Sequence, residues 1–432
     1  MATARRLRRK GRQVRRLLLV SLLALIAFLS LSNDERIWPY RNTLHYHLLQ
    51  AWWSVVPAPE AQEHGEIAGV VRAPDGAPIE GARVLVSAHD GTAWSDESDG
   101  AGKYRIAGIP PARYVPVAGA EGFENVALRR LGWFRTLVSS GRTTQLDVTL
   151  PRMEDRALAP AKNFRLDPPR TLTIEKPLPA TAEERAIHFE VDGRPNQLSL
   201  YYTPVGGESH LPTLLAVYPG PADTWAQVSL PLAQAGYAVI AVGPAYALDL
   251  EPDIDDLRRL LDALEAGAFP RADPTRLAAL GGSYSGAHVF RLLQRYPAGL
   301  DALLLLGAPT DLFELRRLFE EGSFFPPFDL DKALVALGLP DGDPEIYWRY
   351  SPIYHAHSYN VPIMLIHSKV DEVVPFTQSE RLSGELKRLG KRHELYILEG
   401  MGHYLLEPER TPAVDDLFRI TTEFFARELD VP

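Results

Sequence analysis

The hydrophobic positions change rhythm several times along the chain, and each rhythm predicts a different kind of structure. From Ala186 onward, short apolar runs alternate with segments that are apolar at every third or fourth position. Thr213 to Tyr218, Tyr237 to Val242, Ala302 to Leu306 and Pro362 to Ser368 are nearly unbroken apolar runs, the pattern of strands covered on both faces. Between them, Leu257, Leu260, Leu261 and Leu264 fall at i, i+3, i+4 and i+7 and predict a helix over Asp253 to Glu265. Trp225 to Ala235, closed by Gly236, and Ala287 to Arg295 read as further helices, and Arg276 to Leu280 and Glu394 to Leu398 as further strands. Ala186 to Glu190 and Gln197 to Tyr202 open the region as an antiparallel pair. This alternation specifies an α/β fold, a doubly wound and mostly parallel sheet with helices on both faces, over 186–432. Residues 309–350 break the rhythm with helical pieces and Phe324-Phe325-Pro326-Pro327-Phe328, the composition either of a lid or of ordinary surface packing.

Residues 65–151 are different. Ile67 to Val71, Arg83 to Ser87, Lys103 to Ile106, Tyr114 to Ala118 and Gln145 to Leu150 are short strand-like runs. Turn signals separate them, among them Pro74-Asp75-Gly76, His89-Asp90-Gly91 and Asp99-Gly100. Such spacing predicts a small all-β sandwich. Asp96, Glu97 and Asp99 fit a polar hairpin turn better than a calcium loop. The proline- and charge-rich stretch 152–185 reads as a linker.

At the amino terminus, Leu17 to Ser32 is an uncharged apolar run of sixteen residues. Residues 1–16 before it hold eight Lys or Arg and no acid. A basic leader against an apolar run is a topology signal: the leader stays cytoplasmic and the rest of the chain is sent outward. Residues 17–33 are therefore expected to be a signal anchor or transmembrane helix, or alternatively a cleaved signal of a secreted protein. The aromatic residues of 34–64, such as Trp38, Tyr40 and Trp52, suit a juxtamembrane segment.

Composition then removes several classes of function. The formal charge of −9, with eight basic residues and no acid in the leader, leaves an acidic body and argues against nucleic acid as a partner. The absence of cysteine excludes disulfides, thiolate metal sites and a cysteine nucleophile. His355 and His357 form an H-x-H without a carboxylate cluster, the pattern of a surface turn rather than a metal site. His393-Glu394 lacks the second histidine of H-E-x-x-H. No cofactor or metal is expected.

The chemistry concentrates in Leu280-Gly281-Gly282-Ser283-Tyr284-Ser285-Gly286, between a strand-like and a helix-like run. A serine lifted on a sharp strand-to-helix turn is exposed for attack, and its neighbours must be small. Gly281 and Ser283 fit G-x-S-x-G; Ser285 stands at the second glycine position and Gly286 follows it. Serine needs a base and a carboxylate to orient that base. Asp371 follows the strand Pro362 to Ser368, and His403 sits on a glycine-flanked loop after the last strand, in the order Ser, Asp, His. Glu372 is a neighbouring carboxylate expected to point elsewhere, and His367 a structural histidine at a strand end. For the oxyanion, the Tyr284 backbone N–H is one expected donor. In Tyr218-Pro219-Gly220-Pro221 two prolines remove backbone donors, which makes the Tyr218 phenol the expected second.

These residues carry two resemblances. Gly69-Val70-Val71, Gly76-Ala77-Pro78, Gly81-Ala82-Arg83-Val84, Ser98 to Tyr104 and Gly108 to Tyr114 resemble the carboxypeptidase regulatory-like domain. That resemblance implies a transthyretin-like sandwich without catalysis, a spacer or a binder of a partner or polymer. Val217 to Pro221, Asp273-Pro274, Gly281 to Tyr284, Ser351-Pro352-Ile353, His367 to Pro375 and Gly402-His403 resemble the prolyl oligopeptidase family, its dipeptidyl-peptidase branch above all. That resemblance implies an α/β-hydrolase domain, a triad of Ser283, Asp371 and His403, a hydroxyl from Tyr218 to the oxyanion, and serine hydrolysis of peptide or ester bonds. The propeller of the family's peptidases has no counterpart of its size before this domain, so dipeptidyl specificity is not implied. The expectation is a serine peptidase; a carboxylesterase, or an inactive hydrolase-fold binding protein, are the alternatives.

Overall fold

An eleven-stranded mixed sheet organises the carboxyl-terminal part of the molecule. In the computed structural model, the described residues are 19–28, 37–53, 55, 63–129, 135–154, 157–207, 210–244, 249–297, 299–326, 330–403 and 409–430. Across the sheet the strands run Lys162–Leu166, Ala180–Val191, Ser199–Pro204, Ala238–Val242, Leu211–Val217, Ala272–Gly282, Ala302–Leu306, Ile363–Ser368 and His393–Leu398. From Ala238–Val242 to His393–Leu398 every neighbouring pair is parallel. Those strands are unbroken apolar runs because helices cover both faces. Along Leu211–Val217, Leu215 and Val217 enter one core, with the helices Glu251–Glu265 and Gly286–Arg295. Leu214 and Ala216 enter the other, with Ala226–Gln234 and Pro412–Glu428. That two-residue alternation follows from the strand's pleat.

After Leu211–Val217 the chain first adds a strand on one side, Ala238–Val242, and then crosses to the other with Ala272–Gly282. This reversal of strand order opens a crevice at the carboxyl ends of the two strands, the place where wound sheets put their chemistry.

The region expected to be a linker, 152–185, is in part sheet. Lys162–Leu166 and Arg170–Ile174 both pair antiparallel with Ala180–Val191. Proline and charge masked them because an edge strand tolerates both.

The amino-terminal sandwich forms as its turns predict. One sheet joins Gly65–Arg72 to Lys103–Ile109, Thr143–Gln145 and Val148–Thr149; the other joins Arg83–Ser87 to Ala93–Glu97 and Val117–Gly119. Asp99 Oδ1 accepts the N–H groups of Ala101 and Lys103, so its side chain closes a turn. Leu85 and Val117 of the sandwich are buried in the same apolar cluster as Tyr347, Trp348 and Tyr354 of the hydrolase domain. Gly119 lies so close to Trp348 that a Cβ there would stand 3.1 Å from its indole nitrogen. Ion pairs ring this contact, among them Arg83 to Glu385 at 2.7 Å, Arg295 to Glu124 at 2.7 Å and Arg129 to Glu345 at 2.6 Å.

Of the expected membrane segment, only residues 19–28 are described; they are helical, and Leu19, Leu22, Leu23 and Phe28 are exposed on them. Among the described residues, no helix is long and apolar enough to cross a membrane. The remainder of 17–33 and the basic leader 1–16 lie outside the described residues. Trp38–Trp53 is a separate helix packed against Leu330–Ala336.

Candidate active site

The elbow is built by four small residues with distinct duties. Ser283 adopts φ +51°, the left-handed region that L-residues avoid, at the top of Ala272–Gly282. A Cβ on Gly281 would meet Val289 at 2.8 Å and the Ser285 carbonyl at 3.1 Å. A Cβ on Gly286 would overlap that of Ala308 at 2.4 Å, so the elbow helix presses against the neighbouring strand end through this glycine. Ser285 in the pattern's second glycine position is fully buried and makes structural bonds: Oγ accepts the Gly282 N–H at 3.0 Å and donates to the Val217 carbonyl at 2.5 Å. The departure from G-x-S-x-G thus fastens the elbow to the neighbouring strand instead of distorting it.

Ser283, His403 and Asp371, far apart in sequence, meet at the carboxyl rim of the sheet. Ser283 Oγ lies 2.8 Å from His403 Nε2, and His403 Nδ1 lies 2.8 Å from Asp371 Oδ2. The other oxygen of Asp371 accepts the backbone N–H groups of Val373 at 2.9 Å and Val374 at 2.7 Å. Burial by itself raises the Asp371 pKa, but the hydrogen bonds from His367, His403 and Val374 outweigh it and hold the carboxyl well below the usual carboxylate range. The group is therefore a carboxylate at neutral pH, and keeps the imidazole turned with Nε2 toward the serine.

Three residues around this chain had no assigned part in the site. His367 is fully buried, and its Nε2 lies 2.9 Å from the Val374 carbonyl and 3.3 Å from Asp371 Oδ2. Glu372 accepts the backbone N–H of His403 at 3.2 Å. Gly307, with φ +52°, ends the strand Ala302–Leu306; a Cβ there would stand 3.1 Å from Asp371 Oδ2 and 3.4 Å from His403 Nδ1. The one sequence signal for Gly307 is a glycine directly after a buried strand.

The two expected oxyanion donors fare differently. Tyr284 follows the nucleophile in the turn Ser283–Ser285 and lines the cavity beside it. The Tyr218 phenol takes its hydrogen bond elsewhere. Its hydroxyl is buried at 2.8 Å from Ser229 Oγ, its ring stacks on Trp225 at 5.1 Å, and it lines a separate small cavity. Burial pushes its pKa well up and keeps the phenol neutral. The helix Ala226–Gln234 supplies Ser229, and Tyr218 is buried in the apolar cluster that this helix covers.

A cavity of about 480 Å³ opens beside Ser283. The elbow contributes Tyr284 and Ala287, the Asp371 loop contributes Val373 and Val374, and the insertion contributes Leu312 and Leu337. The insertion 309–350 is thus a wall of the site. Pro39 of the helix Trp38–Trp53 reaches the same lining.

The H-x-H pair is not a surface turn. His355 is buried, with Gln294 Nε2 at 2.8 Å from Nδ1 and the Trp348 carbonyl at 3.0 Å from Nε2. Burial drives its pKa down to about 3 and keeps it neutral. Among the described residues, no group of three or more His, Asp or Glu side chains is arranged to hold a metal ion.

A serine on an elbow beneath a wound sheet's rim, ahead of an imidazole and a carboxylate, defines the α/β-hydrolase class. The sequence model of the prolyl oligopeptidase family (Peptidase_S9) matches residues 251–431, and that of the carboxypeptidase regulatory-like domain matches residues 66–151. The chain thus carries a prolyl oligopeptidase family domain behind a carboxypeptidase regulatory-like domain. It is 26% identical over 220 residues to the protein named "Uncharacterized peptidase YuxL" of Bacillus subtilis (strain 168). That match takes in 46% of this chain and 32% of the relative, so the chain spans about a third of that protein's length. Among solved structures, an acylaminoacyl peptidase of Pyrococcus horikoshii is 15% identical with a TM-score of 0.44, over 79% of this chain and 75% of that one. A butyrate-bound esterase of Thermogutta terrifontis is 18% identical with a TM-score of 0.42, over 55% of this chain and 91% of that one.

Proposed function

We propose that the protein is a serine hydrolase that cleaves an acyl bond through Ser283, His403 and Asp371. Ser283 Oγ forms the bond to the acyl carbon while its proton passes to His403 Nε2. The resulting imidazolium hands that proton to the departing amine or alkoxide, and water then releases the acyl group from Ser283 by the same route. Asp371 orients and stabilises the imidazolium, and the Tyr284 N–H faces the developing oxyanion; one such donor is worth on the order of 10² to 10³ in rate. The observation that carries the reading is the unbroken run of 2.8 Å contacts from Ser283 to Asp371. A fluorophosphonate probe should label the protein and fail to label Ser283→Ala; equal labelling of that variant would refute the assignment.

Within this chemistry, a peptidase is the reading favoured by the family match over 251–431. A carboxylesterase is the second reading, favoured by the cavity beside Ser283, whose lining carries no charged side chain among the described residues. Parallel turnover of peptide amides and p-nitrophenyl esters separates the two.

We further propose that residues 17–33 anchor the chain in a membrane with the hydrolase on the extracytoplasmic side. The basic leader 1–16 and the exposed apolar side chains of residues 19–28 support this. Release of the full chain from membranes by carbonate would overturn it.

A further inference from the structure

Two helices outside the sheet contribute to the wall of the cavity beside Ser283, Leu330–Ala336 of the insertion and, through Pro39, Trp38–Trp53 from the amino-terminal region. The second is fastened to the first and to the segment that follows. Asn42, 2% exposed, donates from Nδ2 to the Ala336 carbonyl at 2.8 Å. Gly338 approaches it so closely that a Cβ there would stand 3.0 Å from Asn42 Nδ2. Arg41 reaches Asp343 at 3.2 Å, and the Arg316 guanidinium lies 5.0 Å from the centre of the Tyr46 ring. Pro39, one turn before these contacts, is thereby held at the cavity wall.

We propose that the site takes a long, uncharged apolar chain attached to the reacting carbonyl, an acyl chain of fatty character, and that the helix Trp38–Trp53 sets how long that chain can be. The inference rests on the serine-hydrolase reading and names its substrate class. Size is the first argument. A volume of about 480 Å³ lies in the range of about 300 to 1,000 Å³ that encloses whole small molecules, beyond the needs of one small side chain. Polarity is the second. Among the described residues the lining has no charged side chain, and the Tyr350 hydroxyl is spent on the Leu250 N–H at 2.9 Å and on Asp249 at 3.1 Å. A charged extension would lose its water and meet no opposite charge among these residues. Direction is the third. The leaving group takes its proton from His403, which is outside the lining, whereas the acyl part stays on Ser283, which is within it.

The test measures kcat/KM of the full chain on p-nitrophenyl acetate, butyrate and octanoate, with fluorophosphonate labelling of Ser283 read in parallel. The expected result is a rise from acetate to octanoate, by at most about fourfold for each methylene carried into the cavity. Ala336→Phe, which pushes a phenyl ring into the far end, should lower the octanoate-to-butyrate ratio about tenfold. Asn42→Ala, which unfastens the wall without adding bulk, should flatten the chain-length profile. A flat or falling profile in the wild type, with Ser283 labelled normally, overturns the acyl-chain proposal and leaves the hydrolase reading standing. Absence of labelling overturns the hydrolase reading itself. Ratios unchanged in both variants would remove the helix Trp38–Trp53 from any part in length selection.

Discussion

His367 stands 3.3 Å from Oδ2 of Asp371, the same oxygen that meets His403 at 2.8 Å. The carboxylate therefore gathers two imidazoles and, on its other oxygen, two backbone N–H groups. Its depressed pKa fixes the sign of the acid response. Stability from these bonds is complete above the ordinary aspartate value and is lost as pH falls through the lowered folded value. Through the mildly acid range Asp371 stays charged, so a loss of activity there does not come from protonating Asp371.

Replacing that charge with an amide should be severe. Asp371→Asn keeps an oxygen for the Val373 and Val374 N–H groups but can present the wrong partner to His403 Nδ1. Turnover should fall about 10⁴-fold, with an unchanged circular dichroism spectrum. A loss of less than about tenfold in steady-state kcat would show that Asp371 does not orient the base.

Gly307 is predicted to matter as much as a side chain. Gly307→Ala strains a residue at φ +52° and pushes a methyl to within 3.1 Å of Asp371 Oδ2. A displacement of about 1 Å in the His403–Asp371 pair should cost about 10²-fold in kcat, with KM changed much less. Kinetics indistinguishable from wild type would mean that the loop absorbs the methyl freely.

The contact between sandwich and hydrolase should respond to acid at Glu385. Burial alone would raise its pKa, but Arg388 and Arg83 override that and hold it at about 2. Folding lowers the value from about 4.5, so the bridge stabilises fully above that pH and fades as pH falls toward about 2. Thermal unfolding followed from pH 5 downward should show a steeper loss for wild type than for Glu385→Gln. Parallel curves would exclude Glu385 as the source.

Leu85 belongs to the sandwich by sequence and to the hydrolase core by packing. Leu85→Ala should destabilise the whole chain by about 2–5 kcal/mol, and in calorimetry the two units should unfold in one transition. Two separated transitions, with the upper one unaffected by Leu85→Ala, would show that the sandwich is only loosely docked.

Much of the fold was legible because its signals are local. The apolar runs mark buried strands, and the elbow needs Gly281 and Gly286 where a Cβ would collide. Asp371 and His403 were readable from strand ends and a glycine-flanked loop. What escaped depended on distant partners. The direction of the Tyr218 phenol is set by Ser229 and Trp225 on the following helix, and no motif at Tyr218 itself records it. His355 looks like a surface residue until Gln294 and the Trp348 carbonyl take both ring nitrogens. The strands Lys162–Leu166 and Arg170–Ile174 hide behind prolines and charges that an edge tolerates. Pro39 acquires its place at the cavity through distant contacts such as that of Asn42, near three hundred positions away from its partner Ala336.

Three arginines from separate parts of the chain converge on one short stretch of the insertion. Arg41 comes from the amino-terminal helix and Arg129 and Arg135 from the sandwich; they meet Asp343, Glu345 and Asp341. That stretch lies just beyond the helix that walls the pocket. Shifting the amino-terminal helix against the sandwich must therefore either snap Arg41 from Asp343 or drag the stretch along. Strain applied at the start of the chain has a short, charged tether to the place where substrate is held.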